Sequence, residues 1–181
     1  FNRWDAGQKL GLHHLLEQIE RHQRGESIEV HEQLVRGLRN LLLDQESDPA
    51  FLAMALVLPS ENWIGQQMEV IDPVAIFTVR QQFRALIAQS LRQELLQRYE
   101  SLRLTGPYRY SAVDAGKRAL RNGCLVYLMA PNLDGFVEPS LLQKGLQQYR
   151  EADNMTDSIA ALSCVINADL DGGTALLADF H

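Results

Sequence analysis

Apolar residues recur along this chain every three or four positions and almost nowhere every two. Leu12, Leu15, Leu16 and Ile19 fall at i, i+3, i+4 and i+7, the spacing that gathers side chains on one face of an α-helix. The pattern predicts a first helix over 3–23, interrupted by the polar run Arg24-Gly25-Glu26-Ser27. A second helix, over 31–45, turns Leu34, Leu38, Leu41 and Leu42 inward.

Punctuation residues then set the rhythm. Asp48-Pro49 opens a short apolar helix to Leu58, because an Asp side chain accepts the free N–H groups of a first turn and Pro suits the first helical position. Ser60 caps another, running through Trp63, Ile64 and Met68 to Glu69. Asp72-Pro73 repeats the start signal. From there Ile76, Val79, Phe83, Leu86, Ile87, Leu91, Leu95, Tyr99 and Leu102 step by threes and fours, predicting one helix roughly 45 Å long, finished before Gly106-Pro107. Ser111-x-x-Asp114 resembles a capping box and opens a helix to Pro131. Further helices cover 140–152, start at Asn154-x-x-Asp157, and start near Gly172-Gly173. Only Ser27-Ile28-Glu29-Val30 alternates, too short a run to found a sheet.

The expectation is an all-α fold of antiparallel helices with short links, one helical domain spanning 1–181. The starts at Asp72, Ser111 and Asn154 lie roughly 40 residues apart, the period of paired-helix repeats. Stacked hairpins of this kind, an armadillo- or HEAT-like solenoid, bury apolar faces between neighbours. The chain opens at Phe1 and stops at Phe180-His181 inside an apolar pattern, so it reads as a piece of a larger helical domain, truncated at its C-terminal end.

Composition narrows the function classes. Hydrophobic residues make up 46% and charged residues 22%, with a formal net charge of -6. Basic residues are scattered, which disfavours a nucleic-acid partner. No apolar run approaches the length of a membrane span. Cys124 and Cys164 each sit within a helical pattern and read as small buried hydrophobes rather than a disulfide, favouring the cytoplasm.

The search for chemistry starts at His31-Glu32-Gln33-Leu34-Val35. A zincin needs His at both i and i+4, so that one turn sets two imidazoles on the metal, and Val35 offers no donor. His13, His14 and Glu17 form a second group, with His22 two turns beyond His14; a metal site there needs a further converging ligand, which the spacing does not supply. There is no Gly-x-Ser-x-Gly elbow, and Gly172-Gly173 lacks the Lys-Ser/Thr of a phosphate loop. Nothing in the sequence lowers the Cys124 pKa. Arg118 and Arg121 share a helix face and could recognise a carboxylate, though a solvated or salt-bridged face is the stronger reading. Trp4, Trp63, Phe77, Phe83 and Tyr99 fall at core spacings and read as packing anchors. No catalytic, cofactor-binding or metal-ligating residue is assigned.

Several strings, in order, resemble one family. They are Phe1-Asn2-Arg3-Trp4-Asp5-Ala6, Leu43-Asp44 with Asp48-Pro49-Ala50, Leu58-Pro59-Ser60, Ile71-Asp72-Pro73-Val74-Ala75-Ile76 and Glu94-Leu95-Leu96. Lys117-Arg118-Ala119-Leu120-Arg121-Asn122 with Cys124-Leu125, and Ala152-Asp153-Asn154-Met155-Thr156-Asp157-Ser158-Ile159-Ala160-Ala161-Leu162, complete the set. Together they resemble the front part of the C-terminal helical domain of the bacterial aminopeptidase N family, gluzincin zinc metallopeptidases. The resemblance implies a parent enzyme that removes N-terminal residues, Ala and basic ones among them, from peptides. Its zinc polarises the scissile carbonyl and lowers the pKa of bound water. The family's His-Glu-x-x-His motif is absent here, as is its Gly-x-Met-x-Asn amine site, so no catalytic residue carries over. The implied role is a silent domain that caps the active-site cavity, with the catalytic domain of the same polypeptide as partner and zinc only in the parent. The competing expectation is a free-standing helical-repeat interaction module. A helical enzyme using His13, His14 or Arg121 is a third.

Overall fold

The computed structural model describes residues 2–168 and 170–180. Phe1, Asp169 and His181 lie outside the described residues, and with them the outermost part of the two ends that read as cut. Helices follow one another along the chain: α1 (Asn2–Gln23), α2 (Glu32–Leu43), α3 (Pro49–Leu56), α4 (Glu61–Gly65), α5 (Pro73–Ser90), α6 (Arg92–Ser101), α7 (Ala112–Leu128), α8 (Pro139–Glu151), α9 (Met155–Ala168) and α10 (Leu170–Phe180). No strand occurs among the described residues. The alternating segment 27–30 is irregular chain, and its Glu29 N–H is taken by the Gln18 side chain at 2.8 Å rather than by a neighbouring strand.

The helix starts sit where the side chains call for them. Asp48 Oδ1 accepts from the Ala50 N–H at 2.9 Å, Ser60 Oγ from Trp63 at 3.2 Å, and Asp72 Oδ1 from Ala75 at 3.0 Å. Ser111 Oγ accepts from Asp114 at 3.4 Å and Asn154 Oδ1 from Asp157 at 3.0 Å. Each satisfies an N–H that the first turn leaves without an intrahelical partner.

Three expectations change. The single long helix over 72–102 is two, α5 and α6, joined at Leu91, whose φ of -119° and ψ of 20° leave the helical region. Ser90 Oγ donates to the Leu86 carbonyl at 2.8 Å, the back-bonding that bends helices. The Leu91 N–H still reaches Ile87 O, so the ladder bends there without being lost. α4 stops at Gly65 rather than Glu69, because the chain returns to lay Ile71 against Gly65, within 3.4 Å of where a Cβ would stand. Phe77, read as a packing anchor, is 54% exposed, whereas Phe83 and Tyr99 are buried.

Helix pairs stack in sequence. α1 packs on α3, α4 and α5; α2 on α3 and α6; α3 on α7; and α7 on α5, α6 and α9, with α8 and α10 flanking α9. One continuous apolar core runs through them, including Leu15, Ile19, Leu52, Ile64, Phe83, Ile87, Leu95, Leu120 and Leu125. α3 and α7 approach most closely at Gly116, where an added Cβ would lie 2.9 Å from the backbone nitrogen of Ala50. The carbonyls at the end of α3 are also held: Leu56 O accepts from Tyr127 Oη at 2.8 Å and Val57 O from Gln8 Nε2 at 2.8 Å.

Candidate functional site

Polar side chains converge in two places. The first joins α6, α7, α8 and α9. Arg121 Nη2 donates to Tyr99 Oη at 3.0 Å, and its guanidinium lies over the Tyr99 ring, 4.3 Å from the centroid. Tyr99 Oη donates to Gln148 Oε1 at 2.9 Å. Gln148 Nε2 donates to Asn122 Oδ1 at 2.7 Å, and Asn122 Nδ2 to Asp157 Oδ1 at 2.9 Å. Asp157 Oδ2 accepts from Asn154 Nδ2 at 3.0 Å and lies 3.8 Å from Arg118 Nε. Tyr99, Arg118, Asn122, Gln148 and Asp157 are all buried, a setting in which each polar atom left unpaired is costly. Arg118 and Arg121, the pair read as a carboxylate-binding candidate, are thus already engaged.

Of these, Arg118, Arg121, Gln148, Asn154 and Asp157 line an open groove of about 790 Å³ between the 102–109 segment and the start of α9. Its walls carry Arg103, Arg109 and Lys117 opposite Asp114, Glu151 and Asp153. Arg103 pairs with Glu151 at 2.8 Å, and Asp153 accepts from the Tyr108 N–H at 2.7 Å. Burial pushes the Tyr99 hydroxyl up to about 12, with Arg121 opposing, so it donates as a neutral phenol across the physiological range. The groove is a surface of mixed charge, ion-paired at Arg103 and Glu151, with a hydrogen-bonded floor.

The second place is the elbow between α1 and α2. His14 and Glu17 stand one turn apart on α1, with His14 Nδ1 3.7 Å from Glu17 Oε2. His31, at the N-cap of α2, brings its Nε2 to 3.5 Å from the same Glu17 oxygen. The His14 and His31 rings meet edge to face, with centroids 4.0 Å apart. His14 is only 5% exposed, and neither of its ring nitrogens has a hydrogen-bond partner. Burial, then the neighbouring His31, holds its pKa below the usual histidine value. Sequence reading placed His13, His14 and Glu17 together and found no further ligand. The structure supplies one in His31, while His13 is exposed and its ring centroid stands 6.2 Å from that of His14. The signal lay in His31-Glu32, the half-motif whose second His is replaced by Val35. His31 finds its partners on another helix instead of one turn ahead.

The remaining candidates are quiet. Cys124 and Cys164 are buried free thiols, pushed by burial up to about 12 and about 11, the opposite of an activated cysteine. Glu32 pairs along its own helix with Arg36 at 2.9 Å. No described helix is long and apolar enough to cross a membrane.

Comparison with known proteins places this architecture. Residues 1–181 match the family model described as Domain of unknown function (DUF3458_C) ARM repeats. Aminopeptidase N of Escherichia coli (strain K12) is 36% identical over 181 residues, covering 99% of this chain and 20% of that protein. Aminopeptidase N of Haemophilus influenzae is 37% identical over 181 residues, 100% of this chain and 20% of its own length. That of Caulobacter vibrioides is 35% identical over 164 residues, 90% of this chain and 18% of its own. In fold, the crystal structure of Legionella pneumophila aminopeptidase A in complex with aspartic acid superposes with a TM-score of 0.77 at 23% identity, over 99% of this chain and 21% of that one. The chain therefore spans about a fifth of the length of the curated relatives it matches.

Proposed function

Because the chain belongs to the DUF3458_C family of ARM-repeat domains, we propose that it is the front part of the C-terminal helical domain of a bacterial zinc aminopeptidase and caps that enzyme's active-site cavity. The observation that carries this reading is the end-to-end likeness to proteins named Aminopeptidase N, of whose length the chain makes up only a fifth. The parent removes N-terminal residues, including Ala and basic ones, from peptides. Its zinc, its catalytic domain and its peptide substrates belong to polypeptide beyond these residues, and its setting is the cytoplasm.

Within that division of labour this chain contributes shape rather than chemistry. Val35 has no atom to donate where a second zincin histidine would stand. The two thiols are buried and resist ionisation. Arg121 and Arg118 are committed to Tyr99 and Asp157, so these two fix the order of helices instead of binding a free carboxylate. A stack of helices that shuts off a cavity excludes folded proteins and admits short, extended peptides.

The test is hydrolysis of alanyl-naphthylamide by the 181-residue chain and by the longer polypeptide encoded with it. The chain alone gives no turnover, while the longer polypeptide turns over and loses activity to a chelator. Turnover by the chain alone, or a reading frame with no peptidase segment, overturns the assignment. The second outcome would favour the free-standing interaction module.

A further inference from the structure

We infer that His14, Glu17 and His31 form a site for one divalent transition-metal ion of the Zn2+ class, which ties the start of α2 to the middle of α1. The donor atoms of the three residues all lie within 4.8 Å of one another. An ion about 2.0–2.1 Å from each of its ligands in a tetrahedral site sets them roughly 3.4 Å apart. The edge from Glu17 to His31 is 3.5 Å and that from Glu17 to His14 is 3.7 Å, so two sides of the triangle already have nearly the required length. The third closes by rotation of His31. His31 is free to turn: its side chain is 42% exposed and makes no capping hydrogen bond to α2.

The state of His14 points to a missing ligand. Its ring is buried with both nitrogens unpartnered, an arrangement native interiors avoid. An ion on the Glu17 side gives Nδ1 its partner. Among the described residues Glu17 forms ion pairs with these two histidines alone, so no Lys or Arg competes for its carboxylate. The open sides of Glu17 and His31 leave a way in and room for water at a fourth position. Two imidazoles and one carboxylate select borderline ions such as Zn2+, Co2+ or Ni2+ over Mg2+ and Ca2+, which want all-oxygen shells. The site lies on the α1–α2 elbow, away from the groove described above, and its role is to pin that elbow.

The metal-free 181-residue chain titrated calorimetrically with Zn2+ tests this. One equivalent binds, raises the melting temperature and is not displaced by Mg2+. With Co2+ the complex shows the visible absorption of a tetrahedral ion. His31→Ala and Glu17→Gln, both at partly exposed positions and so safe for folding, weaken binding by more than the roughly 10–100-fold that loss of an outer-shell partner costs. His13→Ala, beside the site but pointing out of it, binds as the unaltered chain does. Absence of binding by a chain that melts cooperatively overturns the proposal. So does binding that survives both His31→Ala and Glu17→Gln, which would mark an ion held by scattered surface histidines.

Discussion

Individual side chains show how a helical interior handles polarity. Asn122 spans Gln148 and Asp157. Its replacement by Leu leaves an amide and a carboxylate buried without their partner, and should cost about 1–3 kcal/mol, read as a lower midpoint in chemical denaturation. The cysteines behave as hydrocarbon. At about pH 8 iodoacetamide should leave Cys124 and Cys164 unlabelled in the folded chain and alkylate both in concentrated guanidinium, as burial-raised pKa values require. Asp72 contributes to the pH dependence. The Ala75 N–H, then the Gln23 side chain at 3.1 Å, holds its carboxyl below the usual value. A carboxyl depressed in the folded state adds stability that is fully present above its unfolded pKa, about 3.9. That stability is lost as the pH falls through the lower folded value. The gap in melting temperature between the unaltered chain and Asp72→Ala should therefore be widest near neutrality and narrow as the pH drops below about 4.

Among the helices, what the sequence disclosed depended on how local the cause was. The starts at Asp48, Ser60, Asp72, Ser111 and Asn154 were legible because a cap is made within four residues of itself. The bend at Leu91 was not. The apolar stripe from Ile76 to Leu102 keeps its period across it, and the cause is one serine hydroxyl turned back on its own helix. Phe77 was misread for a related reason: periodicity says which residues share a face, not whether a neighbour covers that stretch of it. The His14–Glu17–His31 group depends on the path of the 24–31 segment, which brings α2's N-cap residue back against α1. No spacing rule encodes such a path. Gly116 provides a test of helix approach. In an ordinary helix interior Gly→Ala gains about 1 kcal/mol. At Gly116 the new methyl would press on the rigid backbone of Ala50, so the change should instead destabilise by about 1–3 kcal/mol, measured by thermal melting.

For the assembled molecule, the all-α class and the repeat-like stacking were readable from the 3.6-residue period and the roughly 40-residue spacing of start signals, and the family model of ARM repeats agrees. The polar chain from Arg121 to Asp157 was beyond that reading, because its members come from four helices and no spacing within one helix brings them together. Its presence also limits how the stack can deform. Apolar faces tolerate sideways motion, since one methyl contact substitutes for another. The line Tyr99–Gln148–Asn122–Asp157 does not, because a slip of a single residue, about 1.5 Å along a helix, would break every link in it together. Neighbouring layers can flex about their contacts yet cannot slide past one another. The α6–α9 part of the domain should therefore answer load like a leaf spring, yielding to curvature while carrying thrust along its length.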